Sequence, residues 1–378
     1  MTNRKEFLDH WEQRCQEVEN TALPANFQVV IENAARQYGD RLALQFIDSD
    51  EPGLSYTELH AEVMRIASGY TRIGIAAGTH VGVMLPNRIE FPLTWLALAC
   101  LGAVMVPINV AYTAGELDYI ANDAGVAYLI VDGSLLPAFE KMQARPAALP
   151  NANVVVVGDG PGEDLRYQDV VVAGDPASTP TQDVEPDDLL NIQYTSGTTG
   201  FPKGCMQTQR YWIVLGRTAG SMSPTVRSLL TDHPYFYMDP QWELMWGLLD
   251  GVTVYAVGRM STSKFWARVR KHGIEWAWFP NPVLKLPIEP NEADNPIKAF
   301  AAGWISTAAI KEAESRFGAP VRSAYGMTEI GAGTFVPEDI PDDDILDTVG
   351  VRAPFRELRI VDDQGNDVPD GTPGELIV

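Results

Sequence analysis

The sequence predicts an α/β fold of mostly parallel sheets with flanking helices, closed by a small antiparallel β segment. Three observations carry this. Short apolar runs alternate with amphipathic segments, which places helices on the faces of parallel sheets. At 378 residues the chain exceeds what one core usually supports, so two or three subdomains are expected. With 46% hydrophobic and 21% charged positions, its composition is that of a folded protein rather than a disordered one.

Val81 to Leu85, Val104 to Ile108, Tyr128 to Val131 and Val154 to Val157 read as buried strands, and Phe91 to Leu101 and Gly115 to Asp123 as the helices between them. The polar, proline-bearing stretch Gly158 to Asp188 reads as a connection between subdomains. A second series follows at Leu189 to Tyr194, Val252 to Val257, Ile274 to Phe279, Ala299 to Ala302 and Val321 to Ala324. Arg356 to Val361 and Gly374 to Val378 flank the turn-rich DDQGNDVPDG, a hairpin pattern. We expect three parts: 1–180, a first α/β subdomain; 181–335, a second; and 336–378, the start of a small β subdomain. The last residues, GELIV, lie within an expected strand, the texture of a chain that continues.

The net charge is −22, from 50 acidic and 28 basic residues. Such a surface repels polyanions, which argues against nucleic-acid or anionic-membrane binding but not against a local site for a small anion. Cys15, Cys100 and Cys205 have neither disulfide nor zinc spacing, and the five histidines are scattered. The N-terminus lacks the apolar run of a signal peptide, and Leu93 to Val110 is broken by Gly102 and Pro107. No membrane span is expected, and a cytoplasmic location is. Four acids at Asp342, Asp343, Asp344 and Asp347 read as a solvated acidic loop rather than a metal site.

The most informative segment is Thr195-Ser196-Gly197-Thr198-Thr199-Gly200-Phe201-Pro202-Lys203-Gly204, directly after an apolar strand. Glycines let backbone N–H groups approach an anion, hydroxyls donate further hydrogen bonds, and lysine supplies charge. That is the chemistry of a phosphate cradle. A Walker A loop is excluded, because Pro202 precedes the lysine and Gly204 follows it where Ser or Thr is needed.

YTSGTTGFPKG resembles the phosphate-loop signature of the adenylate-forming superfamily, which includes acyl-CoA synthetases, peptide-synthetase adenylation domains and luciferases. MLPNRIEFPLTWLALACLGAVMVPIN is similar to that family's early strand–helix–strand block, AYGMTEIG to its second signature, and VGVRAPFRELRIVDDQGNDVPDGTPGELIV to its late segment. The resemblance covers nearly the whole chain and implies a five-layered N-terminal large domain, with the C-terminal lid domain absent from this sequence.

What the resemblance implies for individual residues follows its motifs. Thr195, Ser196, Gly197, Thr198, Thr199, Gly200 and Lys203 would hold the β- and γ-phosphates of ATP. Ala324, Tyr325, Gly326 and Met327 would line the adenine, with Tyr325 stacking on it. Thr328 would touch the α-phosphate and Glu329 would bind Mg²⁺, which accepts one or two carboxylates alongside phosphates. In isolation Glu329 would read as a solvated acid; its place in AYGMTE reverses that. Lys203, Thr328 and Glu329 are the catalytic set. Gly303 falls in the loop lining adenine and substrate, and Trp304 replaces the family's usual proline there, projecting toward the acyl pocket. HPYFYMD puts Tyr237 at an aromatic gate and Met238 where amino-acid activators carry an aspartate. A methionine cannot pair with a desolvated ammonium, which disfavours α-amino acids. Asp239, one residue later, leaves a betaine open.

The expected substrates are thus ATP and a bulky apolar, aryl or betaine-like carboxylic acid, bordered by Tyr237, Met238, Gly303, Trp304 and Met327. YMDPQWELMW looks most like carnitine/crotonobetaine and medium-to-large acid ligases. Six of nine tryptophans (Trp242, Trp246, Trp266, Trp276, Trp278 and Trp304) fall in the segment that would line the acyl pocket; ordinary core packing is the competing explanation for most of them. The implied reaction makes an acyl-adenylate and then, with coenzyme A, a thioester. A stand-alone enzyme loading an acyl-carrier protein is the alternative, and a non-catalytic nucleotide- or adenylate-binding protein is the alternative of another class. A homodimer is left open.

Overall fold

The computed structural model describes residues 2–160, 165–178, 180, 183–195, 201–303, 305–340 and 343–378. The chain forms two compact units, each assembled from separated stretches. The first comprises Leu23–Gly216 and Arg227–Ser261; the second comprises Met1–Ala22, Arg217–Val226 and Thr262–Val378.

In the first unit, seven strands stand in the order Leu165–Arg166, Val154–Val157, Tyr128–Asp132, His80–Met84, Val104–Pro107, Leu189–Thr195 and Lys203–Thr208. Every pairing is parallel except the last, where Thr195 faces Lys203 in an antiparallel hairpin. Val154–Val157 is buried at all four positions, as expected of a strand covered on both faces. The Glu90–Leu101 helix buries every residue from Phe91 to Leu101, so it is a core helix without a polar face. It stops at Gly102, whose φ of 67° suits a residue without Cβ. A second sheet in this unit places Ser228–Thr231, Thr253–Ala256 and Leu42–Phe46 in parallel, with Leu54–Ser55 antiparallel at its edge.

The second unit has Trp276–Trp278, Ala299–Ala302 and Val321–Met327 in parallel, followed by antiparallel Gly331–Phe335 and Val351–Arg352. The expected terminal hairpin is present as Arg359–Val361 paired with Glu375–Ile377. Among the described residues no helix is long and apolar enough to cross a membrane.

Two local expectations need correction, and one strand is an addition to them. The Gly158–Asp188 stretch is not only a connection. It contains the edge strand Leu165–Arg166 and a helix, Tyr167–Ala173, that buries Tyr167, Val170 and Val171. That helix packs so closely on Tyr56–Arg72 that a Cβ on Gly69 would lie 2.3 Å from the Val170 carbonyl oxygen. The second signature does not follow its strand: Tyr325, Gly326 and Met327 continue it. Lys203 likewise opens a strand, because the chain returns antiparallel to Leu189–Thr195 before any helix begins.

Candidate active site

In the first unit the phosphate-loop motif bridges the hairpin formed by Leu189–Thr195 and Lys203–Thr208. Ser196, Gly197, Thr198, Thr199 and Gly200 lie outside the described residues; Thr195 and Lys203 form the base of the hairpin. Lys203 is exposed. The returning limb is anchored by aromatic side chains. Tyr119 donates from its hydroxyl to the Pro202 carbonyl at 2.9 Å, and its ring stacks on Phe201 at 5.0 Å. Tyr194 donates to Asp123 at 2.6 Å. Gly204 must lack a side chain, since a Cβ would stand 2.7 Å from Ile192 Cγ2. The hairpin is a second reason, independent of sequence spacing, why this loop is no Walker A element, which opens directly into a helix.

Four buried or half-buried amides hold the turn before the Met238–Asp250 helix, and three of them tie it to the same strand. Asn191 is fully buried; its Oδ1 accepts from Trp95 Nε1 at 3.0 Å, and its Nδ2 donates to Gln241 Oε1 at 2.7 Å. Gln241 Nε2 in turn donates to the carbonyls of Tyr235 and Tyr237, each at 3.0 Å. Gln193 Nε2 donates to the intervening Phe236 carbonyl at 2.7 Å. Three successive carbonyls are thereby fixed from one side. Asn87 fixes the turn from the other, donating to the His233 and Val257 carbonyls at 2.8 and 3.1 Å and accepting from the Tyr235 amide at 2.8 Å. The donors of these amides are all paired, although Gln193 Oε1 is buried without a partner among the described residues; they specify one backbone geometry, because a slip would unpair the donors as well.

That geometry presents Tyr237, 46% exposed, immediately before the helix, with Met238 as the first helical residue. Asp239 lies in the first turn, and Trp242 Nε1 donates to its Oδ1 at 3.4 Å. Burial pushes the Asp239 carboxyl above its ordinary range, with His233 opposing the shift.

In the second unit, Gly303 follows Ala299–Ala302 and Ala324–Met327 end Val321–Met327. These two strands are neighbours, with Ala302 paired to Ser323, so both segments leave the carboxyl ends of adjacent parallel strands. That is where ligands bind in open α/β sheets. A Cβ on Gly303 would meet nothing within 4 Å. Gly326 is different: its Cβ would stand 2.5 Å from the Gly331 carbonyl oxygen, at the register shift between Tyr325 and Gly326. Tyr325 donates from its hydroxyl to Met327 Sδ at 3.2 Å. Thr328 and Glu329 occupy the turn to Gly331–Phe335, and Glu329 is exposed, without an ion pair to any described residue. Trp304 lies outside the described residues.

The residues fit a magnesium–nucleotide complex rather than a protein-caged metal. Among the described residues no group of three or more His, Cys, Asp or Glu could hold an ion. An exposed carboxylate is what Mg²⁺ uses when phosphates and water supply its other oxygens. Asp343–Asp347 forms a short 3-10 helix, with Asp347 accepting from Thr307 Oγ1 at 3.3 Å; Asp342 lies outside the described residues.

Three of the six tryptophans pack into the core. Trp246 and Trp276 are buried, and Trp266 packs on Phe317 and Phe265 with ring centroids 4.8 and 5.0 Å away. Asn87, Asn191, Gln193 and Gln241 are the residues that the sequence did not single out. Their signal was faint: amides within otherwise apolar runs, which must find partners when buried. A cavity of ≈320 Å³ in the first unit, lined by Asp48, Glu51, Asn87, Arg88 and Glu90 among others, contains none of the expected site residues. Arg88 is occupied there by Glu90 and Asp132, both at 2.7 Å.

Comparison with known proteins places this geometry. Crotonobetaine/carnitine–CoA ligases from Salmonella paratyphi A and Citrobacter koseri are each 27% identical, over 371 and 376 residues, spanning 93% of this chain and 70% of theirs. A long-chain-fatty-acid–CoA ligase from Archaeoglobus fulgidus superposes with a TM-score of 0.81 at 25% identity, covering 94% of this chain and 75% of that one. The N-terminal domain of FACL13 from Mycobacterium tuberculosis, 22% identical, shares the fold with a TM-score of 0.80 over 91% of this chain and 87% of its own. The family model for AMP-binding enzymes matches residues 31–378, and with both signature segments at the carboxyl ends of their strands, the chain belongs to the AMP-binding enzyme family.

Proposed function

We propose that this protein activates a carboxylic acid with ATP and passes the acyl group to coenzyme A, as an AMP-forming acid–thiol ligase. The observation that carries the reading is the placement of both signatures at carboxyl ends of strands, with Thr195 and Lys203 paired at the base of the loop. The acid's carboxylate attacks the α-phosphorus of ATP, forming the acyl–O–P bond as the bond to pyrophosphate breaks. The thiol of coenzyme A then attacks the acyl carbon, AMP leaves, and the thiol proton is released.

No protein nucleophile is needed. The residues bring two anions together and stabilise charge on the five-coordinate phosphorus. Thr195 to Lys203 hold the β- and γ-phosphates through backbone donors, hydroxyls and the Lys203 ammonium. Ala324 to Met327 and Gly303 border the adenine, and Thr328 donates to the α-phosphate. Glu329 would hold Mg²⁺, which would supply positive charge against the phosphates. Tyr237, Met238, Gly303, Trp304 and Met327 border the acid. The relatives named as crotonobetaine/carnitine–CoA ligases support a betaine-like acid over a purely aryl or fatty one.

The test is ATP-dependent pyrophosphate release across aryl, terpenoid, fatty and betaine acids, with coenzyme A and acyl-carrier protein compared as acceptors. Glu329→Gln should lower pyrophosphate release about a hundredfold, the scale of removing one charge-stabilising group. Unchanged release would remove Glu329 from its role, and no release with any acid would sink the reading.

A further inference from the structure

The Met238–Asp250 helix is buried along most of its length: Pro240, Gln241 and every residue from Glu243 to Leu248 are enclosed. Its amino-terminal half opens only at Met238, Asp239 and Trp242, next to the exposed ring of Tyr237. Asp239 and Trp242 are three residues apart and so share one helical face. The indole N–H to carboxylate bond of 3.4 Å confirms their contact. The open strip therefore consists of a carboxylate, two aromatic side chains and a thioether.

Two features make this carboxylate unusual. Among the described residues it has no ion pair with lysine or arginine, and the one basic side chain facing it is His233, which also lies 3.4 Å from Asp232. It is also partly enclosed, which raises the cost of leaving its charge unpaired. An apolar acyl tail laid on this strip would complete that desolvation and return nothing. A cationic tail would gain both the ion pair and the faces of the aromatic rings.

We propose that Asp239, flanked by Tyr237 and Trp242, is the counter-ion for a substrate acid with a quaternary ammonium at the end away from its carboxylate. This rests on the acid-activation reading above and deepens it, by selecting the betaine class and naming the residue that selects it. A quaternary group fits better than a primary amine, because the strip offers one carboxylate and aromatic faces rather than the several acceptors an ammonium must satisfy.

The experiment compares two acids of the same shape: crotonobetaine and its carbon analogue 5,5-dimethylhex-2-enoate, in which a neutral carbon replaces the nitrogen. Binding of each to the whole chain is measured by calorimetry with a non-hydrolysable ATP analogue present. The wild-type protein should bind crotonobetaine at least about thirtyfold more tightly, and Asp239→Asn should bring the two within about threefold. Asp239→Glu, which keeps the charge, should retain part of the preference. Equal or tighter binding of the neutral acid by wild type overturns the proposal, and that comparison stands even if a variant fails to fold. A preference that survives in Asp239→Asn overturns it too. The acid-activation reading fails separately: charge-selective binding without pyrophosphate release from any acid would retain Asp239 as a counter-ion and remove the ligase chemistry.

Discussion

Glycines at the ends of the two neighbouring strands serve different purposes, and a Cβ distinguishes them. At Gly303 it would enter open space, so the residue leaves room beside the strand end. At Gly326 it would collide with the Gly331 carbonyl oxygen at 2.5 Å, so the residue permits the hairpin itself. Gly326→Ala should therefore lower stability by about 1–3 kcal/mol through overpacking, read as a shift in urea midpoint without ligand. Gly303→Ala should leave that midpoint unchanged. If both behave alike, the distinction is wrong. Glycines in AAGWI and AYGMTE are visible in the sequence, but which of them borders open space and which meets a carbonyl is not, because that depends on the neighbouring strand.

At the scale of elements, the Leu189–Thr195 strand has two attachments. Its end leads into the phosphate-loop motif, and its buried amides hold the turn at Tyr235 to Tyr237. Gln241→Leu would leave the Asn191 amide and two backbone carbonyls without their partner. Each unsatisfied buried group costs about 1–3 kcal/mol, so a loss near 3 kcal/mol is expected in denaturant unfolding. The same variant should weaken acid binding, because the backbone before Tyr237 loses its fixed geometry. A stability change below about 0.5 kcal/mol would show that water replaces the amide, at odds with its burial. Strand identity was legible from Leu189 to Tyr194, since an apolar run bounded by turn residues is a local signal. The return strand Lys203–Thr208 was not, because KGCMQT has no alternation and is a strand only by pairing with its neighbour. The same holds for Tyr325 to Met327, which extend their strand because Gly331–Phe335 folds back on them.

At the scale of the whole molecule, the second unit recovers the first residues of the chain. The Thr2–Glu19 helix buries Trp11 and Cys15, and the Trp11 ring meets Phe335 edge-on at 5.0 Å. Arg352 closes the contact, with Glu12 and Glu19 at 2.6 Å and the Trp11 indole donating to its carbonyl at 3.1 Å. The hydrogen bond from Arg352 holds the Glu12 carboxyl below its ordinary range. A depressed carboxyl contributes stability above its unfolded pKa, about 4.3, and loses it as pH falls through the lower folded value. Protease cleavage within residues 2–19 should thus be slow at neutral pH and accelerate only below about pH 4. In Arg352→Ala, cleavage should be fast at both; indifference to pH and to Arg352 would show that the ion pairs do not hold the helix.

The sequence by itself determined the α/β class, the parallel strand series, the terminal hairpin and the family, since these rest on local periodicity and on ordered motifs along the chain. It also placed Asp239 one residue past an apolar Met238. Only the tertiary structure decided that the two units draw on separated stretches, that the phosphate-loop strand and the Tyr237 turn share buried amides, and that Asp239 is half-buried and flanked by rings in a mostly buried helix. The reason is physical. Periodicity reports which face of an element is apolar, whereas the partner of a buried amide or carboxylate is chosen by whichever distant element packs against it.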